Sequence, residues 1–322
     1  MWIKAKQKRN GKKAVMFTIM SLVLVMIIMF MLGYRAKKSL TENEFIIENR
    51  VKSMDHFIDD IERDIKRGIY ISGFRAIVGI EEHIATTGNY LNDTQRTFNE
   101  IMINGTINNT YISVMNNTEL SKWIDRVKEI ALQTGIILDY KIINTTVFQE
   151  NPWEISFALN IDMNITDISG IARWERNSTL VSKLSIVDFE DPLFIVNGKG
   201  RILRTIKPTN ITTFVTGQDT TKLLEEMQLG MYKESDSAPS FLMRFSGNLG
   251  NSSNGIESFV DLKEFEDNNL NVNVGKSIID YIYFNTTFNP ASYRINNTYN
   301  WFRLDNESEH IDRYNATEVI II

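Results

Sequence analysis

The stretch AVMFTIMSLVLVMIIMFMLGY, residues 14–34, holds 21 consecutive uncharged residues. At 1.5 Å per residue it predicts a helix of about 31 Å, the thickness of a bilayer's hydrocarbon core. Six basic residues precede it (Lys4, Lys6, Lys8, Arg9, Lys12, Lys13) and three follow closely (Arg35, Lys37, Lys38). That bias predicts a cytoplasmic N-terminus. A cleaved secretory signal is the competing reading, but the run exceeds a usual signal core and no small-x-small cleavage pattern stands near its end.

Outward from this segment the balance of charge reverses. The chain of 322 residues carries 35 basic and 40 acidic residues, a net charge of −5, yet residues 1–38 hold nine of the basic ones and no acid. The remainder therefore has 26 basic against 40 acidic residues, a net of −14. An acidic exterior argues against a nucleic-acid partner. Cysteine is absent, so the fold has no disulfides, thiolate nucleophile or cysteine metal site to draw on.

Thirteen Asn-x-Ser/Thr acceptor patterns follow the apolar segment: Asn92, Asn104, Asn108, Asn116, Asn144, Asn164, Asn177, Asn210, Asn251, Asn285, Asn296, Asn306 and Asn315. With 32 Asn and 46 Ser plus Thr, random placement gives only about 4 to 5 such patterns. Asparagine-linked glycans are added on the outer or lumenal side of a membrane, so the excess on one side of an apolar segment predicts which side faces out.

Between the segment and the first acceptor, Leu40, Ile47, Val51, Met54, Ile58, Ile61 and Ile65 recur at alternating spacings of three, four and seven. This heptad-like seam predicts that the membrane helix continues as an amphipathic stalk over 35–84, with Gly68, Gly73 and Gly79 loosening its end. Phe45, Ile46 and Phe57 widen the stripe, which favours packing of the stalk on the chain's own globular part over self-association between chains.

Residues 85–322 read as a glycosylated α+β ectodomain. A helix is expected over 118–134, capped by Asn117 or Thr118, and another over 219–231, capped by Asp219. Glu154 to Ile165 alternates polar and apolar residues, a half-buried strand. Further strands are expected near 136–148, 179–189, 200–207, 241–245, 256–262, 277–284 and 319–322, giving a mainly antiparallel sheet. Gly198-Lys199-Gly200 reads as a hairpin turn.

Chemistry is sparse at this level. His56, His83 and His310 have no partner at metal-ligand spacing, and neither a phosphate loop nor a serine elbow occurs. The carboxylates Asp188, Glu190 and Asp191 are the best catalytic or calcium-binding candidates, and a solvated turn is their simpler reading. Trp123, Trp153, Trp174 and Trp301 fit either a core or a sugar-binding surface. The expectation is a protein without catalytic residues, cofactor or metal.

Several short patterns resemble archaeal membrane-anchored surface proteins of uncharacterised function: NPW at 151–153, DISGIARW at 167–174, DFEDPLFIVNGKG at 188–200, APSFLMRFSGNL at 238–249, GIESFVDL at 255–262 and IIDYIYF at 278–284. The N-terminus separately resembles an archaeal prepilin leader, basic and ending at Asn10-Gly11 before an apolar helix. That resemblance implies cleavage after Gly11 and helix packing with pilin-like subunits. The chain departs from the pattern at Lys12 and Lys13, which follow the glycine, and at Met16, where many pilins carry glutamate.

The expected protein is thus a non-enzymatic, glycosylated cell-surface protein. It has a basic leader (1–13), a span in membrane lipid (14–34), a stalk (35–84) and an external domain (85–322). A pilin-like or minor filament component is one form of it. The alternative is a receptor or adhesin whose ectodomain binds a sugar, peptide or ion.

Overall fold

The computed structural model describes residues 7–321. In chain order its elements are helix α1 (Gln7–Thr87), α2 (Thr94–Asn104), the hairpin β1 (Thr106–Ile107) and β2 (Thr110–Tyr111), and α3 (Leu120–Gln133). Three long strands follow, β3 (Ile136–Asn151), β4 (Glu154–Asp167) and β5 (Arg173–Ser185). Short elements complete the chain: α4 (Pro192–Asn197), α5 (Thr221–Leu229), β6 (Tyr232–Glu234), α6 (Phe241–Arg244), β7 (Ile256–Ser258), α7 (Leu262–Asp267), α8 (Asp280–Tyr283), β8 (Ser292–Ile295), β9 (Arg303–Asp305), α9 (His310–Arg313) and β10 (Ile320–Ile321). The fold is mixed α+β. The chain divides into two compact units, one of Met1–Asp60 with Asp167–Arg173, the other of Ile61–Thr166 with Trp174–Ile322.

In the first unit, Val15–Lys38 is long and apolar enough to cross a membrane. Its large apolar side chains, from Val15 to Leu32, are all exposed. A helix apolar on every side has no polar face to offer water. Beyond it, Arg50 grips Asp167 at the tip between β4 and β5 at 2.7 Å. Asp167 also caps its own turn by accepting from Ser169 N. Burial would raise the Asp167 carboxyl, but the Arg50 guanidinium and the turn amides hold it below its usual range.

In the second unit, Ile61, Ile65, Ile69, Ala76, Ile77, Ile80 and Ile84 form the buried stripe of α1. Of the stripe expected from the sequence, Met54, Ile58, Ile61 and Ile65 are buried, whereas Phe45, Ile46, Ile47 and Val51 are exposed. The glycines do not loosen the helix, which runs unbroken to Thr87. They admit neighbours instead: a Cβ on Gly68 would meet Trp123, one on Gly73 would lie 2.5 Å from the Phe157 ring, and one on Gly79 would strike Ile112. Each is a point of close approach that any larger residue would obstruct.

The strand order is β3-β4-β5, with β4 central. Ile155, Phe157, Leu159, Ile161, Met163 and Ile165 are all buried, as the alternation predicts. Along β3, Gln95 Nε2 of α2 donates to Thr145 O at 2.9 Å, and the Tyr140 hydroxyl donates to Asp125 of α3 at 2.7 Å. A second core gathers Phe194, Phe214, Phe259, Phe302 and Tyr314. Two small sheets border it, β6-β7 and β10-β8-β9.

Several local expectations are corrected. Residues 241–245 and 277–284 form helices α6 and α8 rather than strands, while 200–207 is irregular with one bridge at Thr205. Short, mostly buried apolar runs look alike in either state, because little polar face records the period. Helix α3 begins without a side-chain cap, and Thr118 donates backward to Met115 O. Gly198 to Gly200 closes helix α4, with Lys199 and Gly200 at positive φ, rather than turning a hairpin. The C-terminus is a 3-10 turn, Thr317–Val319, leading into the short β10.

Candidate functional site

The thirteen acceptor asparagines occupy no buried position: Asn144, Asn164 and Asn285 are half-buried and the other ten are exposed. Three of them share the polar face of the long sheet. Asn160 Nδ2 donates to Asn144 Oδ1 at 2.7 Å, Thr179 Oγ1 donates to Asn160 Oδ1 at 2.7 Å, and Asn177 Nδ2 donates to Asp162 Oδ1 at 2.7 Å. These rungs put Asn144, Asn160 and Thr179 in one cross-strand row and Asp162 and Asn177 in the next, with Asn164 on the same face two residues along β4. A recess of about 600 Å³ opens there, walled by Tyr140, Asp162, Asn164, Glu175 and Asn177 among others.

A second recess, of about 320 Å³, has Asn251, Tyr281, Asn285, Phe288, Glu307 and Ser308 in its wall. Asn285 is held in a turn. Its Oδ1 accepts from Thr287 N at 2.9 Å and from Thr287 Oγ1 and Phe288 N at 3.0 Å. All three bonds fall on Oδ1 and none of them engages Nδ2.

Behind Tyr281 lies a sealed ionic cluster. His310 Nδ1 is 2.9 Å from both oxygens of Asp305, and its Nε2 is 3.1 Å from the Tyr281 hydroxyl and 3.3 Å from Glu257. Glu257 also accepts from the Tyr314 hydroxyl at 2.9 Å and pairs with Arg313. Burial alone would lower the His310 pKa, but the bonds to Asp305 and Glu257 overcome it and raise it to about 9. His310 is therefore an imidazolium at neutral pH, donating from both nitrogens.

A second sealed cluster centres on Arg244, which pairs with Asp191 at 2.5 Å and Asp280 at 2.9 Å, all three side chains wholly buried. Tyr232 donates to Asp191 at 2.8 Å, and Arg244 also donates to Ile256 O. Burial pushes Asp280 up to about 7 despite the guanidinium beside it. Glu81 is raised further, to about 9, by burial and by the neighbouring Glu190 charge. A buried carboxyl with that pKa is neutral at pH 7.

The carboxylates singled out in the sequence are dispersed by this arrangement. Asp191 caps α4 through Leu193 N and is the inward partner of Arg244, Asp188 is exposed at positive φ, and burial raises the half-buried Glu190. Asp191 therefore has no oxygen facing solvent. His56 is exposed and His83 half-buried. The ionic clusters have little local signature: residues 191, 244 and 280 meet only through the fold, as does Glu257 with the local pair Asp305 and His310. Among the described residues, no group of three His or carboxylates is arranged to hold a metal ion.

The four tryptophans of 61–321 are all half-buried, neither sealed core nor open platform. Trp123 Nε1 donates to Asp64 at 3.0 Å, and Trp153 Nε1 donates to Glu234. Trp301 stacks on Tyr299 with ring centroids 5.0 Å apart and planes within 7°. Gly11 lies within α1.

No protein-family model matches this chain, and neither a curated protein nor a solved structure does.

Proposed function

We propose that this chain is a non-enzymatic, N-glycosylated cell-surface protein, anchored by Val15–Lys38 with its N-terminus cytoplasmic and its larger unit outside. The observation that carries the reading is the placement of the acceptors: all thirteen follow the span and none is buried. The sealing of His310, Asp191 and Arg244 supports a structural rather than catalytic use of the strongest ionic groups.

The absence of cysteine makes orientation directly testable, since any introduced thiol is the only one. A membrane-impermeant maleimide should label Thr213→Cys on intact cells, and Lys6→Cys only after permeabilisation. The opposite pattern would invert the topology and remove the surface assignment.

A filament or lateral assembly is the more specific form of this reading. Its support is the exposed row Phe45, Ile46, Ile47 and Val51 on α1, apolar residues beyond the span and ahead of the first acceptor. Val51→Cys should yield disulfide-linked dimers in native membranes if copies pack there. Monomers alone would favour isolated surface molecules. The receptor or adhesin alternative draws on the Tyr299–Trp301 stack, where Tyr299 is 40% exposed.

A further inference from the structure

Each of the two recesses described above is walled by two acceptor asparagines: Asn164 and Asn177 on the sheet, Asn251 and Asn285 beside Tyr281. Four of their 17 wall residues are acceptors, whereas 13 acceptors in 322 residues would place fewer than one there by chance. A third pattern converges on the second recess, because Glu307 and Ser308 of Asn306-Glu307-Ser308 stand in its wall.

We infer that these recesses are seats for the chain's own asparagine-linked glycans, and that the sugars nearest Asn251 and Asn285 pack into the second one. The inference rests on the glycoprotein reading and adds to it where the sugars lie. The modification joins Asn Nδ2 to the anomeric carbon of a lipid-phosphate-linked oligosaccharide. The anomeric carbon–oxygen bond breaks, the lipid phosphate leaves, and one amide proton passes to solvent. The product keeps one N–H. At Asn177 that proton can preserve the bond to Asp162, and at Asn285 the turn's bonds all fall on Oδ1 rather than Nδ2.

The chemistry of the second wall suits a sugar. The Phe288 ring, 40% exposed, offers an apolar face for a pyranose, while Glu307 and Ser308 offer acceptors and a donor for its hydroxyls. At about 320 Å³ the recess is near the lower end, about 300 Å³, of ligand-binding clefts, which fits a short sugar segment rather than a folded partner. The floor is rigid, because Tyr281 is tied to His310 and thence to Asp305 and Glu257. A sugar seated on it would cover the turn 285–288 and slow its opening.

The test compares the full chain from its native membrane with the full chain made in a host lacking N-glycosylation, both in detergent. Glycopeptide mapping and amide hydrogen exchange are read on each. The expected result is a glycan on Asn251 or Asn285, with exchange over 281–288 and 306–310 slowed by about tenfold or more. Segments beside the exposed acceptors Asn92 and Asn210 should change little. Glycans present at Asn251 or Asn285 without that slowing would overturn the seat, and so would a chain modified elsewhere but at neither residue. A chain unmodified at all thirteen sites would instead remove the glycoprotein reading, and this inference with it. As a second handle, Ser253→Ala and Asn251→Gln remove one acceptor pattern by different side chains. Both should give the same loss of protection if a glycan at Asn251 is the cause.

Discussion

From Val15 to Leu32 the chain turns its large apolar side chains outward, whereas in the larger unit it turns charges inward: Asp191, Arg244, Glu257, Asp280, Asp305 and His310 have no exposed surface on their side chains. Each region inverts the usual rule of burial, and each requires its own compensation. The apolar helix satisfies its interior backbone groups by its own hydrogen bonds, as a membrane span would have to. The buried charges need partners at hydrogen-bond distance, because burial without them costs several kcal/mol per ion. One region is therefore specified by composition, the other by geometry.

That contrast breaks first at Arg244. Arg244→Met leaves Asp191 and Asp280 facing each other without a cation, and the expected loss is about 3–5 kcal/mol in denaturant unfolding. A loss under about 1 kcal/mol would mean that the cluster is hydrated or relaxes. Next in size is a charge in the apolar region. Leu24→Asp should cost about 2.5–3.5 kcal/mol of insertion, read as chain released from membranes by alkaline carbonate. Unchanged retention would show that these residues do not sit in the hydrocarbon.

The His310 cluster sharpens the comparison through pH. Its folded pKa of about 9 lies above the ordinary histidine value of 6.5, so its contribution is complete below pH 6.5 and is lost as pH rises through 9. Glu81 acts in the same direction, since its carboxyl is raised from 4.5 to about 9. Glu257 and Asp305 are held below their usual range, mainly by His310 working against burial, so their contribution fades toward acid. The melting temperature should fall between pH 6.5 and 9, and His310→Gln should flatten that fall. An equal slope in the variant would exclude His310 as its source.

The smallest effects come from two glycines on one helix. Gly73→Ala pushes a Cβ against the buried Phe157 ring, itself packed 5.7 Å from Phe98. Overpacking of about 1–3 kcal/mol should outweigh the roughly 1 kcal/mol that alanine contributes to a helix. Gly33→Ala meets nothing within 4 Å, so unfolding of the larger unit should not change. If the two variants behaved alike, the close approach at Gly73 would be absent.

Legibility in the sequence follows the same division. The apolar segment, the alternation of β4 and the stripe of α1 were readable because each repeats a local period against a contrasting face. Residues 241–245 and 277–284 differ from the sequence reading because short, mostly buried runs leave little of that contrast. They also carry Arg244 and Asp280, whose pairing across 36 positions explains why α6 and α8 lie where they do. Nothing local marks His310 as the partner of Glu257, 53 positions away. The acceptor patterns were legible individually, but their convergence on two recesses required the strand register and the turn at Asn285.

Glycopeptide mapping of the full chain from its native membrane tests the central claim most directly. The account predicts glycans on asparagines within the set from Asn92 to Asn315, on the same molecules that retain Val15–Lys38. Thirteen unmodified asparagines on a chain that retains that helix would contradict it.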